Sequence, residues 1–398
     1  MAYFEKTDIL LPKNIKENWA VIACDQFTSD ASYWERVKEN VGEDKSTFNM
    51  ILPEIYLEDN AKERIENINK TMQDYLDEGV FTEYKDSMIF VSRKQSDGLV
   101  LDGIIGAVNL SDYDFKKGAK ALVRASEQTV IERIPPRVEI RKDAPLEFPH
   151  ILLLIDDEAM SVIEPIYNQS SELEKLYDLE LMENGGRVKG YLIDEKRIAK
   201  IQKALEDLIE NDEDKLLFAV GDGNHSLATA KQIADTTDGV LNKTAMVEIV
   251  NIHSPAINFE PIYRVLFDCD ATQVLADFIK DNGGEYDGDD AQVFTVVTAN
   301  GETKVSLKPT AKLPVGTLQS YLDKYLKKHD EIKIDYIHGE EAVKQLCKAQ
   351  NTVGFLFEGM KKDELFEAIR QDGSLPRKTF SMGHAEDKRY YIEGRRIK

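Results

Sequence analysis

The stretch "LLFAVGDGNHSLATAK", Leu216 to Lys231, decides how the rest of the chain is read. Its apolar start, Leu216 to Val220, has the character of a buried strand. "SLATAKQIA" then reads as a helix with Leu227, Ala230 and Ala234 on one side. Gly221, Asp222, Gly223, Asn224, His225 and Ser226 stand between the two. Glycines permit positive φ and close approach of a ligand to the backbone. The first N–H groups of a helix lack intrahelical partners and carry the positive end of the helix dipole. A phosphate or carboxylate is held at such a turn without any lysine. Asp222 is placed to orient Mg²⁺ or to take a proton from a hydroxyl nucleophile. His225 can donate to developing negative charge, and Asn224 and Ser226 can hold oxygens. The same residues also make an ordinary capped turn. The loop is neither a Walker A sequence nor a complete G-x-G-x-x-G, so neither of those mechanisms transfers to it.

Strands and helices mix throughout the chain, which gives a mixed α/β (α+β) class. "NWAVIACDQF" (18–27) and "FNMILPEIYL" (48–57) read as strands, the second broken at Pro53. Residues 59–78 and 194–210 have amphipathic helix spacing. "SMIFVSRKQ" and "VLDGIIGAVNL" form a hairpin around Ser96-Asp97-Gly98, and "HILLLIDD" reads as a central strand. Past Ala234, "AMVEIVNI", "FEPIYRVLF" and a hairpin turning at Ala299-Asn300-Gly301 precede three helix-like segments and the strand-like "TVGFLFEG". A polar crowding at 235–239 sets an expected boundary between residues 1–238 and 239–398.

Composition narrows the function. Lys and Arg number 51 against 73 Asp and Glu, a net charge of −22. So acidic a surface repels phosphate backbones and argues against nucleic acid, while leaving room for a local pocket that takes a small anion. Cys24, Cys269 and Cys347 are far apart and odd in number, which fits a reducing cytoplasm rather than a disulfide framework. No run approaches the roughly 18 apolar residues of a membrane span, and the start of the chain lacks signal-peptide character. The number of subunits is not legible.

A second polar cluster, "VRASEQTV", carries Arg124, Ser126, Glu127 and Thr129. An Arg beside a Glu supplies an anion contact and a base from one short segment. The same pair also describes a salt-bridged surface strand. Arg133, Arg137, Arg141 and Lys142 follow, either as a positive patch or as balance for neighbouring acids. Asp25, at the end of a strand, is a candidate to reach a cleft. Arg377, after the proline turn of "LPRKTF", is a candidate to reach over a phosphate. Cys24 lacks a visible base, and no His/Cys/Asp spacing makes a zinc site.

"VGDGNHSLATA" resembles the Asp-Gly-His-His-Arg motif of the family called domain of unknown function 1015. "VRASEQTV" is similar to that family's Arg-Pro-His-Glu-x-Thr segment. "FEPIYRVL" resembles its Pro-x-His-Arg strand, and "LPRKTF" its Met-Pro-Arg-Lys-Ser-Thr signature. All four occur in the family's order. Asn224 and Ser226 replace the motif's first His and its Arg, Ala125 and Ser126 replace its Pro-His, and Tyr263 replaces the His before Arg264. More distantly the loop is similar to the phosphate-binding turn of the ParB and sulfiredoxin superfamily, some of whose members are kinases of free serine. That likeness implies a ParB/sulfiredoxin-like nucleotide-binding core with large insertions plus a C-terminal α+β domain. It also implies a nucleotide-dependent phosphotransferase of a small hydroxylated metabolite, possibly free serine, using ATP or ADP with Mg²⁺ at Asp222. Asp222, Glu127 and His225 are then the catalytic candidates. Gly221, Gly223, Asn224, Ser226, Arg124, Thr129, Asp25 and Arg377 are the binding candidates. A nucleotide or phosphoester hydrolase and a non-catalytic nucleotide or metabolite sensor are the alternatives. A ParB-like DNA clamp is disfavoured by the charge and by the lack of a basic helix-turn-helix pattern.

Overall fold

In the computed structural model, which describes residues 3–57, 60–149, 151–237 and 239–398, the chain is mixed α/β. It forms two compact units. One holds the chain through Ala125, then Thr129–Ile257 and Gly383–Lys398; the other holds Ser126–Gln128 and Asn258–Met382. Residues 239–257, expected in a C-terminal domain, therefore run in the first unit, and the chain returns to it at Gly383. Asp59, His150 and Asp238, where an expected helix, strand and boundary were placed, lie outside the described residues.

The first unit is built around a nine-stranded sheet: β1 (Ile89–Lys94), β2 (Val100–Asn109), β3 (Tyr113–Asp114), β4 (Val123–Ala125), β5 (Leu152–Ile155), β6 (Glu174–Glu180), β7 (Arg187–Leu192), β8 (Phe218–Asp222) and β9 (Thr244–Asn251). Their order across the sheet is β6-β7-β1-β2-β9-β5-β8-β4-β3. Both faces are covered, and side-chain alternation sorts the apolar residues between them. Ile89, Val91 and Ile105 join one core with Trp19 and Trp34; Phe90, Ile104 and Val108 join another with Phe218, Leu227 and Ile249. The helices α1 (Ile134–Arg141), α2 (Glu195–Ile209) and α3 (Asn224–Thr236) follow from the same logic. In α2, Asp194 caps the first turn by accepting the Arg197 N–H, and Ile198, Ile201, Leu205 and Ile209 are buried along one stripe.

The centre of this sheet is polar at one point. Glu248 on β9 is 1% exposed and meets Arg93 at 3.0 Å and Arg389 at 3.1 Å. Gly103, paired with Val250 on the neighbouring strand, leaves the room for it: a Cβ there would come within 2.3 Å of the Glu248 carboxylate. Arg389 arrives through the returning C-terminal segment, whose Tyr390–Tyr391 pairs with Val21–Ile22. That pairing is all that remains of the strand expected over 18–27. Residues 47–56 differ as well: they form two 3₁₀ turns, Thr47–Met50 and Glu54–Tyr56. Ser46 accepts the Phe48 N–H and starts the first turn, and Pro53 cannot donate to a ladder.

The second unit carries β10 (Phe259–Phe267), β11 (Gln292–Thr298), β12 (Gly301–Leu307), β13 (Lys333–His338) and β14 (Thr352–Phe357), in the order β12-β11-β14-β10-β13. These neighbours are antiparallel, and β15 (Phe380–Met382) pairs with the start of β10. Phe278, Phe294 and Phe355 form its aromatic centre, edge to face. Among the described residues no helix is long and apolar enough to cross a membrane.

Candidate functional site

The opening loop folds as its residues dictate. β8 runs parallel to β4 and antiparallel to β5, and ends at Asp222. Gly223 takes φ +83°, in the left-handed region that glycine enters freely, and α3 begins at Asn224. Leu227 N–H donates to the Gly223 carbonyl at 3.0 Å. The N–H groups of Asn224, His225 and Ser226 are therefore the helix's first, without intrahelical partners. Asp222 is fixed from both sides: Oδ1 accepts the Gly223 N–H at 2.8 Å, and Oδ2 lies 3.7 Å from the Lys388 ammonium. The Asn224 Oδ1 is buried with no hydrogen-bond partner among the described residues. Lys388 was missed from the sequence. It belongs to the segment that returns at Gly383 and is carried to the loop by the pairing of Tyr390–Tyr391 with Val21–Ile22.

His225 accepts the Val130 N–H on Nε2 at 3.3 Å. Burial, reinforced by the charges of Arg137 and Arg133 and opposed by Asp25, holds its pKa down at about 4. At neutral pH the ring is uncharged, and with Nε2 accepting, Nδ1 carries the proton. Asp25 thus lies within electrostatic reach of the loop, although the strand expected to carry it ends at Ile22. The unfolded imidazole titrates near 6.5 and the folded one near 4. Between these values the unfolded chain binds more protons, so stability falls as the pH is lowered through this window. After solvent screening we expect a loss of about 2 kcal/mol. Urea unfolding at pH 7 and pH 4.5 checks this. His225→Gln removes that part of the slope, and an unchanged slope in the variant would refute the assignment.

The other candidates divide. The Arg124 guanidinium is engaged by Asp214 Oδ2 at 2.5 Å, the Asp214 carbonyl at 2.7 Å and the Ala121 carbonyl at 2.8 Å. This is a structural ion pair rather than an anion contact. The Thr129 Oγ1 is buried without a partner among the described residues. Glu127 lies in the second unit. Its carboxylate accepts the N–H groups of Lys378 and Thr379 at 2.9 Å each and of Phe380 at 3.4 Å. Burial raises its pKa, and these three N–H groups oppose the rise. In the same unit Arg377 Nε donates to the Tyr336 hydroxyl at 2.8 Å. Three of the four cations after residue 130 balance acids: Arg137 pairs with Glu54, Arg141 with Glu147 and Lys142 with Glu139. Burial pushes the Cys24 thiol up to about 11, which removes it as a nucleophile at neutral pH.

A family described as protein of unknown function (DUF1015) matches residues 7–330. The chain belongs to that family. No curated protein matches it. Among solved structures it is similar to free serine kinase in complex with AMP, at 12% identity and TM-score 0.41, over 71% of this chain and 89% of that one. A mutant of free serine kinase in complex with ADP follows at 13% and 0.40, over 71% and 89%. A conserved hypothetical protein from Pyrococcus furiosus is similar at 12% and 0.37, over 70% and 90%.

The DUF1015 loop of this chain can seat an anion on three helix N–H groups, with Lys388 as the nearby cation and Asp222 as a carboxylate of fixed orientation. A Mg²⁺ at Asp222 would have this single carboxylate as its side-chain ligand and would take its other ligands from nucleotide phosphates and water. Among the described residues no three His, Cys, Asp or Glu side chains converge on a metal position. The Lys388 ammonium already stands by Oδ2, on the side a cation would take.

Proposed function

We propose that this DUF1015 protein is a nucleotide-dependent phosphotransferase acting on a small hydroxylated metabolite, with ATP or ADP as donor. The observation that carries the reading is the turn at Gly223. It presents the N-terminus of a 13-residue helix beside a carboxylate that is locked between a main-chain N–H and a lysine. The helix N–H groups hold phosphoryl oxygens, and Lys388 offsets charge on them. Asp222 accepts the proton of the acceptor hydroxyl as its oxygen attacks phosphorus and the bond to the nucleotide breaks. Neutral His225 donates through Nδ1. Glu127, clasped by three N–H groups, holds the 378–380 segment in this reading rather than serving as the base.

A sensor that binds a nucleotide without turning it over is the second reading. It is favoured by one observation: Arg124, the cation expected to neutralise the transferred group, is bound to Asp214, and Ser226 stands where the family motif has its arginine.

Thermal unfolding with ATP, ADP, AMP and pyrophosphate tests both. A ligand at one hundred times its Kd stabilises the fold by about 2.7 kcal/mol. We expect a shift with a nucleotide or pyrophosphate that is reduced in Lys388→Met. Product analysis with and without a hydroxylated acceptor then separates transfer from hydrolysis and from binding alone. No shift with any of the four would end the nucleotide reading.

A further inference from the structure

A cavity of about 150 Å³ lies in the first unit beside α3, whose Ser226 and Thr229 form part of its wall. Met50, Leu52, Met72 and Ile140 make the rest largely apolar. Arg141 also lines it. Its Nη1 is paired with Glu147, while Nε and Nη2 are buried with no hydrogen-bond partner among the described residues. These two nitrogens share one edge of the guanidinium. That edge is the planar fork that matches the two oxygens of a carboxylate. A buried fork left empty is costly, because the donors have given up water without replacing it.

The wall also says what the ligand lacks. Glu147 is the one carboxylate among the described residues lining the cavity, and it is engaged by both Arg141 and Arg395. Burial would raise its pKa, but the two arginines outweigh burial and hold it down at about 2, so it stays ionised and committed to them. No acidic group is left there for an α-ammonium. Arg137 lines the cavity too, but its Nη1 donates to the Arg133 carbonyl and its Nη2 pairs with Glu54, so a phosphate dianion, more strongly hydrated than a carboxylate, would meet only the one open fork of Arg141. The volume is also below the roughly 300 Å³ at which sites for larger ligands begin.

We propose that this cavity binds a small, mostly apolar monocarboxylic acid without an α-amino group, its carboxylate bidentate on Arg141 and its body against Met50, Leu52 and Met72. If the loop transfers phosphate, a hydroxylated acid of this kind is the acceptor. That part rests on the phosphotransfer reading; the binding does not.

The test is titration calorimetry on the full chain without nucleotide, using isovalerate, 3-hydroxybutyrate, L-serine and inorganic phosphate. We expect saturable binding of isovalerate or 3-hydroxybutyrate and none of L-serine or phosphate. Arg141→Gln is expected to weaken binding by about 10-fold or more. Arg141 belongs to a buried ion pair, so Met72→Trp is the second variant. It fills the cavity without removing either member of that pair and is expected to abolish binding in a protein that still unfolds cooperatively. Water alone in the cavity would appear as no binding of either acid up to roughly 10 mM, which overturns the proposal. Equal binding of L-serine or phosphate, or full affinity in a folded Met72→Trp protein, overturns it too. Acid binding with no nucleotide shift supports it while ending the phosphotransfer reading.

Discussion

Arg264→Met is expected to lower stability by about 3–5 kcal/mol, a large share of the 5–15 kcal/mol that holds a typical domain folded. Arg264 is fully buried in the second unit. Its Nε donates to Gln319 at 2.9 Å, Nη1 to the carbonyls of Lys378 at 2.8 Å and of Ile262, and Nη2 to the Arg377 carbonyl at 3.1 Å. The Tyr336 ring lies 5.0 Å from the guanidinium carbon. Burial pushes its pKa down to about 10, opposed by Tyr336 and Glu127, so it is still charged at neutral pH. Methionine fills much of the volume but leaves four acceptors without their donor. Arg264→Lys keeps the charge without the fork and is expected to fall between the two. Urea unfolding of all three proteins decides the matter, and a Met variant as stable as wild type would show that the guanidinium is not what fixes the 377–378 segment.

This cluster explains why the sequence was partly legible. "FEPIYRVL" and "LPRKTF" carry the family likeness, yet pattern alone gave no reason for them to occur together. The reason is that Arg264 binds the carbonyls of Arg377 and Lys378, while Glu127 binds the N–H groups that follow. One segment of backbone is held by its acceptors from one side chain and by its donors from another. The strand, glycine turn and helix at 216–236 could be read because each is encoded locally, by apolar run, positive φ and cap. Lys388 could not, because it reaches Asp222 only through a two-residue strand pairing closed by the far end of the chain. Arg124 was ambiguous for a physical reason: an arginine that binds a ligand and one that binds Asp214 have the same neighbours in sequence. The cavity beside α3 was invisible, since its wall is gathered from segments around residues 24, 50, 72, 140, 226 and 391. The misread strand at 48–57 lost to Ser46, which starts a 3₁₀ turn just ahead of it, and to Pro53, read as a break within a strand and in fact standing between two 3₁₀ turns.

Asp222→Asn is expected to lower turnover by about 10²- to 10⁴-fold while leaving stability within about 0.5 kcal/mol. The substitution isolates the charge. An asparagine Oδ1 still accepts the Gly223 N–H, so the φ +83° turn and the start of α3 keep their main local support. What disappears is the negative charge, with it the proton acceptor of the proposed transfer and the partner of Lys388 at 3.7 Å. That pair is only partly shielded from solvent, so its loss contributes little to folding. Nucleotide affinity should hold or rise, because Lys388 is released to face phosphate alone. A base and a turn residue are thereby separated. If Asp222 takes the hydroxyl proton, the rate falls and binding does not. If Asp222 only shapes the loop, Asn preserves the shape and the rate is unchanged, whereas Gly223→Val, which strains the turn, reduces nucleotide binding in either case. Single-turnover kinetics on Asp222→Asn, alongside its thermal shift with ADP, therefore tests the chemistry of this carboxylate apart from its place in the fold.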